Sequence, residues 1–260
     1  MFESVVNISE GQNSFLLDEL TKSLGTDFLD LHSDPDHHRS VFTMIGTNAP
    51  RTLSEGVVDA LSLTDHVGVH PRLGVVDVVP FVPLIGSTID DALTVRNEFA
   101  QWAWAELRVP IFFYGPERTL PEIRRHAWTT LVPDVGDSTP HATAGAMCVG
   151  VREPLIAYNV WLTDSTLADA KRIASAIREE HLRTLGLQVG RSVQVSMNLI
   201  RPDFIGPMDA FDRVAAHARV ERAELVGLMP ASVLSEIPRT RWEKLDLAVE
   251  KTIEWRLENR

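Results

Sequence analysis

The chain has 260 residues, with 25 Lys and Arg against 36 Asp and Glu, for a formal charge of −11. That acidic balance excludes a general affinity for nucleic-acid phosphates and a polybasic membrane anchor, since both need clustered cations. With 44% apolar and 23% charged residues the composition is that of a folded globular protein, and a lone cysteine, Cys148, leaves no internal disulfide. The first residues carry no basic, apolar leader, and no run approaches the roughly 18 apolar residues of a spanning helix. A soluble cytoplasmic protein of one large or two small domains is expected.

In chain order, apolar alternation predicts a strand over 3–8, a helix over 14–24, strands over 27–33 and 40–47, a helix over 52–62 and a strand over 75–82. A helix over 89–107 follows, capped by Ser87 or Thr88, then a strand over 109–114. Residues 110–145 are the least regular, dense in Pro, Gly, Asp and Thr, and a polar stretch of that length is more often functional than decorative. Strands are predicted over 146–152 and 155–162, and a helix over 165–185 with its cap in Thr163-Asp164-Ser165 and Asp169 adding charge near its first turn. A strand over 188–199, a helix over 207–218, a strand over 223–229 and a helix over 242–258 complete the series. The order strand–helix–strand–strand–helix–strand is read over the first eighty residues, and a second, shorter round of it over about 155–229. That predicts an α+β fold of two α/β sandwich subdomains, each a βαββαβ-like sheet covered by helices on one face, with a boundary near Arg152-Glu153-Pro154 that gives 1–152 and 153–260.

Three clusters carry side chains with chemistry. Asp65-His66-Val67-Gly68-Val69-His70-Pro71-Arg72-Leu73-Gly74-Val75-Val76-Asp77 places two histidines, an arginine and two aspartates in a glycine-punctuated loop before a strand. Histidine exchanges protons near neutrality, and arginine grips a carboxylate at two points. His66 and His70 are four apart, as in zinc hydrolases, but Val67 holds the place of the required Glu, and Gly68 and Pro71 break the helix that would align the rings. No metal is expected. Asp34-Pro35-Asp36-His37-His38-Arg39-Ser40 reads equally as a charged turn and as part of a site. The third cluster runs from Val132-Pro133-Asp134-Val135 through Gly136, Asp137, Ser138, Thr139, Pro140, His141, Ala142, Thr143, Ala144 and Gly145, with small residues and exposed backbone that suit close approach to a flat or anionic ligand and that read equally as a surface loop. Cys148 is expected to be buried and inert, and no serine-hydrolase elbow, Walker loop or dinucleotide fingerprint is present.

Val6-Asn7-Ile8-Ser9-Glu10-Gly11-Gln12-Asn13, Arg39-Ser40-Val41-Phe42-Thr43, His70-Pro71-Arg72-Leu73-Gly74 with Asp77-Val78 and Pro80-Phe81, and Pro133-Asp134 with Thr143-Ala144-Gly145 resemble glutamate formiminotransferase. So do Leu155-Ile156-Ala157-Tyr158-Asn159-Val160, Gln194-Val195-Ser196-Met197-Asn198-Leu199 and Leu225-Val226-Gly227-Leu228-Met229-Pro230, all in the family's order. The resemblance covers roughly 3–235 and finds no counterpart for the last helix, from about Arg239. It implies two α+β subdomains with a ligand groove between them, usually in a homodimer. It implies transfer of a formimino group from N-formiminoglutamate to N5 of tetrahydrofolate in histidine breakdown, with tetrahydrofolate as co-substrate, His70 as the catalytic residue, and the ten residues from Gly136 to Gly145 as the folate-contacting loop. Because both substrates carry carboxylates, Arg39 and Arg72 are expected to anchor them. The cyclodeaminase domain of some relatives is absent, so that activity is not expected.

The chain departs from the family pattern at Val69, where the family commonly has Glu, and at His38, where it often has Asn. The stretch Thr139-Pro140-His141-Ala142-Thr143-Ala144 has no aromatic residue to stack on a pterin. A non-catalytic folate- or carboxylate-binding relative, or a transferase with a different formyl or formimino donor, is the alternative to the formiminotransferase reading.

Overall fold

Strand β1 (Phe2–Ile8) buries Val6 and Ile8 against helix α1 (Ser14–Leu24), whose Leu17, Leu20 and Leu24 fall on one face at helical spacing. β2 (Phe28–Asp34), β3 (Arg39–Ile45), α2 (Ala49–Ala60) and β4 (Val76–Pro83) complete the first round of six elements in the predicted order. α3 (Ile89–Leu107), β5 (Ile111–Tyr114), α4 (Leu120–His126) and β6 (Met147–Val151) follow. The computed structural model describes residues 1–64, 66–67 and 72–260, so Asp65, Gly68, Val69, His70 and Pro71 lie outside the described residues. The chain divides into two units, Met1–Glu153 and Pro154–Arg260.

The strands of the first unit stand in the order β2-β3-β1-β4-β6-β5. β1 is antiparallel to β3 and β4, while β4, β6 and β5 are mutually parallel. Phe42, Met44, Leu53, Val79, Phe81 and Phe99 fill the core between this sheet and α1, α2 and α3, and each buried Phe contributes roughly 1.5–3 kcal/mol. Helices do not stay on one face. α4 covers the other side of the parallel strands, where Ile123 packs with Val78, Phe112, Tyr114 and Cys148. Parallel strands are normally buried on both faces, and β4 is buried along nearly its whole length. Cys148 is buried there, and burial pushes its thiol well above the ordinary range, as expected of an inert cysteine.

The second unit consists of β7 (Ile156–Leu162), α5 (Leu167–Ile177), β8 (Leu182–Val189), β9 (Ser192–Leu199), α6 (Pro207–Ala215) and β10 (Val220–Val226), followed by α7 (Ala231–Ser235) and α8 (Ile253–Glu258). Its sheet is antiparallel in the order β10-β7-β9-β8. Counted within each round, fourth, first, third and second strands are neighbours in both units.

Three expectations are corrected. The helix expected over 165–185 starts at Leu167 and ends at Ile177; its cap is Thr166, whose hydroxyl accepts the Asp169 N–H while Asp169 returns a bond to the Thr166 N–H. Beyond it the period changes to two, with Leu182 and Thr184 buried between exposed neighbours, and β8 forms. The strand expected over 188–199 is instead divided at Gly190 and Arg191, a two-residue turn that closes the β8–β9 hairpin where Val189 pairs with Ser192. The helix expected over 242–258 is broken by Asp246, which has φ +57° and accepts the Leu225 N–H at 2.9 Å. Leu245 and Leu247 on either side of it enter the core, and Tyr158 Oη donates to the Leu245 carbonyl at 2.8 Å. Among the described residues no helix is long and apolar enough to cross a membrane.

Candidate active site

Because β1 runs against β3 and β4, its C-terminal end meets their N-terminal ends, and this edge of the first unit gathers the ionisable side chains. Between Ile8, which pairs with Val76, and Asn7, which pairs with Val78, the register slips by one residue. The residue left over is Asp77. A bulge of this kind re-aims a side chain, and here Val76 packs with the α1–α3 core while Val78 packs under α4. The Asp77 carboxylate, only 2% exposed, accepts the Leu73 N–H at 2.7 Å on one oxygen and Arg124 Nη2 of α4 at 2.8 Å on the other.

Arg39, at the first residue of β3, donates from Nε to Asn7 Oδ1 at 3.0 Å and also from Nη2 to the same oxygen. Burial pulls its guanidinium down to about 10, with Asp77 acting upward and the charges of Arg124 and Arg72 acting downward, so it remains a cation at neutral pH. Arg72 donates to the carbonyls of His37 at 3.2 Å and His38 at 3.3 Å. Its Nη1 lies 2.7 Å from Nδ1 and 2.6 Å from Nε2 of His66. The Asp77 carboxylate thus pairs with Arg124 and acts electrostatically on Arg39 and Arg72, and the excess of positive charge favours an anionic ligand.

The turn between β2 and β3 supplies the rest of this wall. Asp34 Oδ1 accepts the N–H groups of Asp36 and His37, both at 2.8 Å, and the chain then turns through His38 at φ +49°. Asn and His are among the residues that tolerate that conformation best. The His38 ring lies against that of His66, with centroids 4.2 Å apart and planes tilted by 33°. Burial, then the Arg72 charge and His38, push the His66 pKa down, so its imidazole is neutral at pH 7.

Glu10 braces this turn. Its Oε1 accepts the N–H groups of Gly11, Gln12 and Asn13 at 2.8, 2.6 and 2.9 Å and lies 3.5 Å from His38 Nδ1. Burial acts to raise the Glu10 pKa, but the bonds from Asn13 and Gln12, the nearby His38 and the bond from Gly11 together hold it below the usual carboxylate value. A depressed carboxylate contributes stability above its unfolded pKa of about 4.3, which is lost as the pH falls through the lower folded value. Glu10→Gln is therefore expected to lower the denaturation midpoint at about pH 6, with the gap to wild type closing near pH 3. A gap that stays constant on acidification would show that the carboxylate charge is not what the three N–H groups hold.

The glycine-rich loop lies against the chain that flanks His70. Gly136 packs on the ring of Trp104 from the last turn of α3, and Asp137, Ser138, Thr139 and Pro140 are exposed. His141 N–H donates to the Gly145 carbonyl at 2.8 Å, and His141 Nδ1 accepts the Ala144 N–H at 3.0 Å and the Thr143 N–H at 3.3 Å. Ala142 and Thr143 are exposed, whereas Ala144 and Gly145 are buried. Leu63 N–H donates to the Thr143 carbonyl at 2.8 Å, Val75 N–H to that of Ala144 at 3.0 Å, and Ala146 N–H to that of Leu73 at 3.0 Å. Gly74 and Gly145 pair directly.

The structure therefore brings together Arg39, Arg72 and the 141–145 end of the loop at one edge of the sheet, while His70 lies outside the described residues. Of the His66–His70 pair considered for zinc only His66 is described, and among the described residues no three His, Cys, Asp or Glu side chains are grouped to hold a metal ion. Sequence reasoning missed Arg124 altogether and gave Glu10 no separate role. The helix that carries Arg124 was discoverable, because Thr119-Leu120-Pro121-Glu122 carries a capping signature, and both of its reciprocal bonds form.

Comparison with known proteins supplies the class. The profile described as "Formiminotransferase domain, N-terminal subdomain" matches residues 1–152. The chain is 33% identical to a glutamate formimidoyltransferase of Streptococcus pyogenes, over 90% of this chain and 91% of that protein. It is 29% identical to a glutamate formimidoyltransferase of Thermoplasma acidophilum, over 92% and 91% respectively. A formimidoyltransferase-cyclodeaminase of Sus scrofa is 30% identical over 95% of this chain, which spans 53% of that longer protein. The chain belongs to the formiminotransferase family and is a transferase.

Proposed function

We propose that the chain moves a formimino group from N-formiminoglutamate to N5 of tetrahydrofolate, with His70 as general acid and base. What carries this reading is the cluster of Arg39 and Arg72 at the edge where the glycine-rich loop is bonded to the chain on either side of His70. N5 of the folate attacks the formimino carbon, the C=N electron pair moves onto the imino nitrogen, and a tetrahedral carbon forms. His70 takes the proton from N5 and returns it to the glutamate nitrogen. The C–N bond to glutamate then breaks as the C=N bond re-forms, and glutamate leaves as the amine. One neutral imidazole serves both proton transfers, and neither a metal nor a covalent enzyme intermediate is required.

In this reading the loop from Gly136 to Gly145 lies along the folate, and Arg39 and Arg72 hold substrate carboxylates. The test of the class is transfer by the wild-type protein with N-formiminoglutamate and tetrahydrofolate, each omitted in turn. A folded protein that binds both compounds and transfers nothing would overturn it. For the arginines, Arg72→Ala and Arg39→Ala are each expected to raise KM for at least one substrate by about 30-fold or more, the equivalent of roughly 2 kcal/mol for a lost charge-assisted contact. Unchanged KM values for both substrates in both variants would remove the anchoring role.

A further inference from the structure

We propose that Arg124 is a positioning residue for this transfer, acting through Asp77 on the chain that carries Arg72 and continues from His70. The proposal rests on the functional reading above. Arg124 Nη2 meets one Asp77 oxygen at 2.8 Å while the other accepts the Leu73 N–H at 2.7 Å. Leu73 immediately follows Arg72, its carbonyl takes the Ala146 N–H at 3.0 Å, and Gly74 pairs with Gly145. A single carboxylate therefore ties β4 to the joint between the two loops of the site, and Arg124 sets where that carboxylate points.

Two observations argue against a purely structural ion pair. The pair sits beside the apolar packing of Val78, Phe112, Tyr114, Ile123 and Cys148, where a hydrophobic pair of similar volume would serve stability as well or better. Arg124 also keeps a buried Nε with no hydrogen-bond partner among the described residues, a cost that packing alone does not require. What an ion pair does here, and an apolar pair does not, is hold a carboxylate against the Leu73 N–H and beside the guanidinium groups of Arg39 and Arg72. Each Asp77 oxygen makes one of these bonds, so its role is to orient.

The experiment is steady-state transfer by the full chain, with kcat and KM measured for both substrates in Arg124→Leu, Arg124→Lys, Asp77→Asn and the double variant Arg124→Leu/Asp77→Asn, each with its thermal midpoint. Displacing a loop by about 1 Å costs up to about a hundredfold, so Arg124→Leu is expected to lower kcat by about ten- to a hundredfold, with any rise in KM, from the Arg72 that the same chain carries, smaller than the fall in kcat. Arg124→Lys, which keeps the charge, recovers part of the loss. The double variant is no slower than Asp77→Asn alone, because the two side chains act in one line. Wild-type kcat and KM in Arg124→Leu, with only the midpoint lowered, would reduce the pair to a structural one. A raised KM at unchanged kcat would make Arg124 a substrate contact and would equally overturn the proposal. If Arg124→Leu does not fold, Arg124→Lys and Asp77→Asn decide by the same split. An inactive wild type refutes the functional reading itself, whereas failure of this inference alone is seen only against an active wild type.

Discussion

In His70→Ala, kcat for formimino transfer is expected to fall by about 10²- to 10⁴-fold with both KM values little changed, the usual contribution of a positioned acid–base group. The substrates in this reading are held by Arg39, Arg72 and the glycine-rich loop, so binding survives while the proton of N5 has nowhere to go. The pH profile adds a second reading. A base that must be unprotonated to accept the N5 proton gives wild-type kcat/KM an acid limb, and that limb is lost in the variant. The rival is His66, four residues earlier. Its imidazole is neutral at pH 7, but both ring nitrogens lie within 2.7 Å of Arg72 Nη1, so its lone pair already faces a cation and is a poor acceptor for a further proton. His70→Ala retaining more than a tenth of wild-type kcat while His66→Ala does not would transfer the role to His66.

Much of the architecture is legible locally, because the residues that define it act over four to seven positions. Val6 and Ile8 alternate, Leu17, Leu20 and Leu24 recur at helical spacing, and Thr88 with Asp91 announces α3, which runs over Ile89–Leu107 as predicted. β8 is not legible in the same way. Glu179, Glu180 and Arg183 prolong a helical composition, and what makes the segment a strand is pairing with β9 across the Gly190 turn, a tertiary gain that outweighs propensity. The candidate site shows the same division. Arg39 and Arg72 stand out as charged residues in loops, but they lie 33 positions apart, and only the placement of β3 and β4 on either side of β1 makes them neighbours. Asp77 turns toward Arg124 because of a one-residue slip in register, which no residue pattern announces. A site assembled from strand ends depends on topology more than on motif, so the motifs pointed to the loops while the sheet decides which side chains meet.

The Gly74–Gly145 crossing is where that topology leaves least room, and Gly145→Ala is expected to cost roughly 3–5 kcal/mol of stability. Gly145 has φ +72°, and a Cβ there would lie 2.1 Å from the Leu73 carbonyl oxygen and 2.8 Å from Leu63 Cδ1. From the opposite chain, a Cβ on Gly74 would lie 2.2 Å from the Ala146 carbonyl oxygen. The Leu73 oxygen cannot retreat cheaply, since it takes the Ala146 N–H at 3.0 Å. Gly86→Ala separates the two sources of cost. Gly86 has a similar φ of +86° but nothing within 4 Å of its absent Cβ, so only the backbone preference of roughly 1–2 kcal/mol is lost. At about 2–4 °C per kcal/mol for a chain of this size, the two variants should differ in Tm by several degrees. Equal midpoints would show that close approach is not what demands glycine at 145. If Gly145→Ala folds, the shift of the Ala144 and Leu73 carbonyls moves the glycine-rich loop and the His70 loop apart. KM for tetrahydrofolate should then rise and kcat fall together, a joint change that neither an anchoring arginine nor the histidine produces alone.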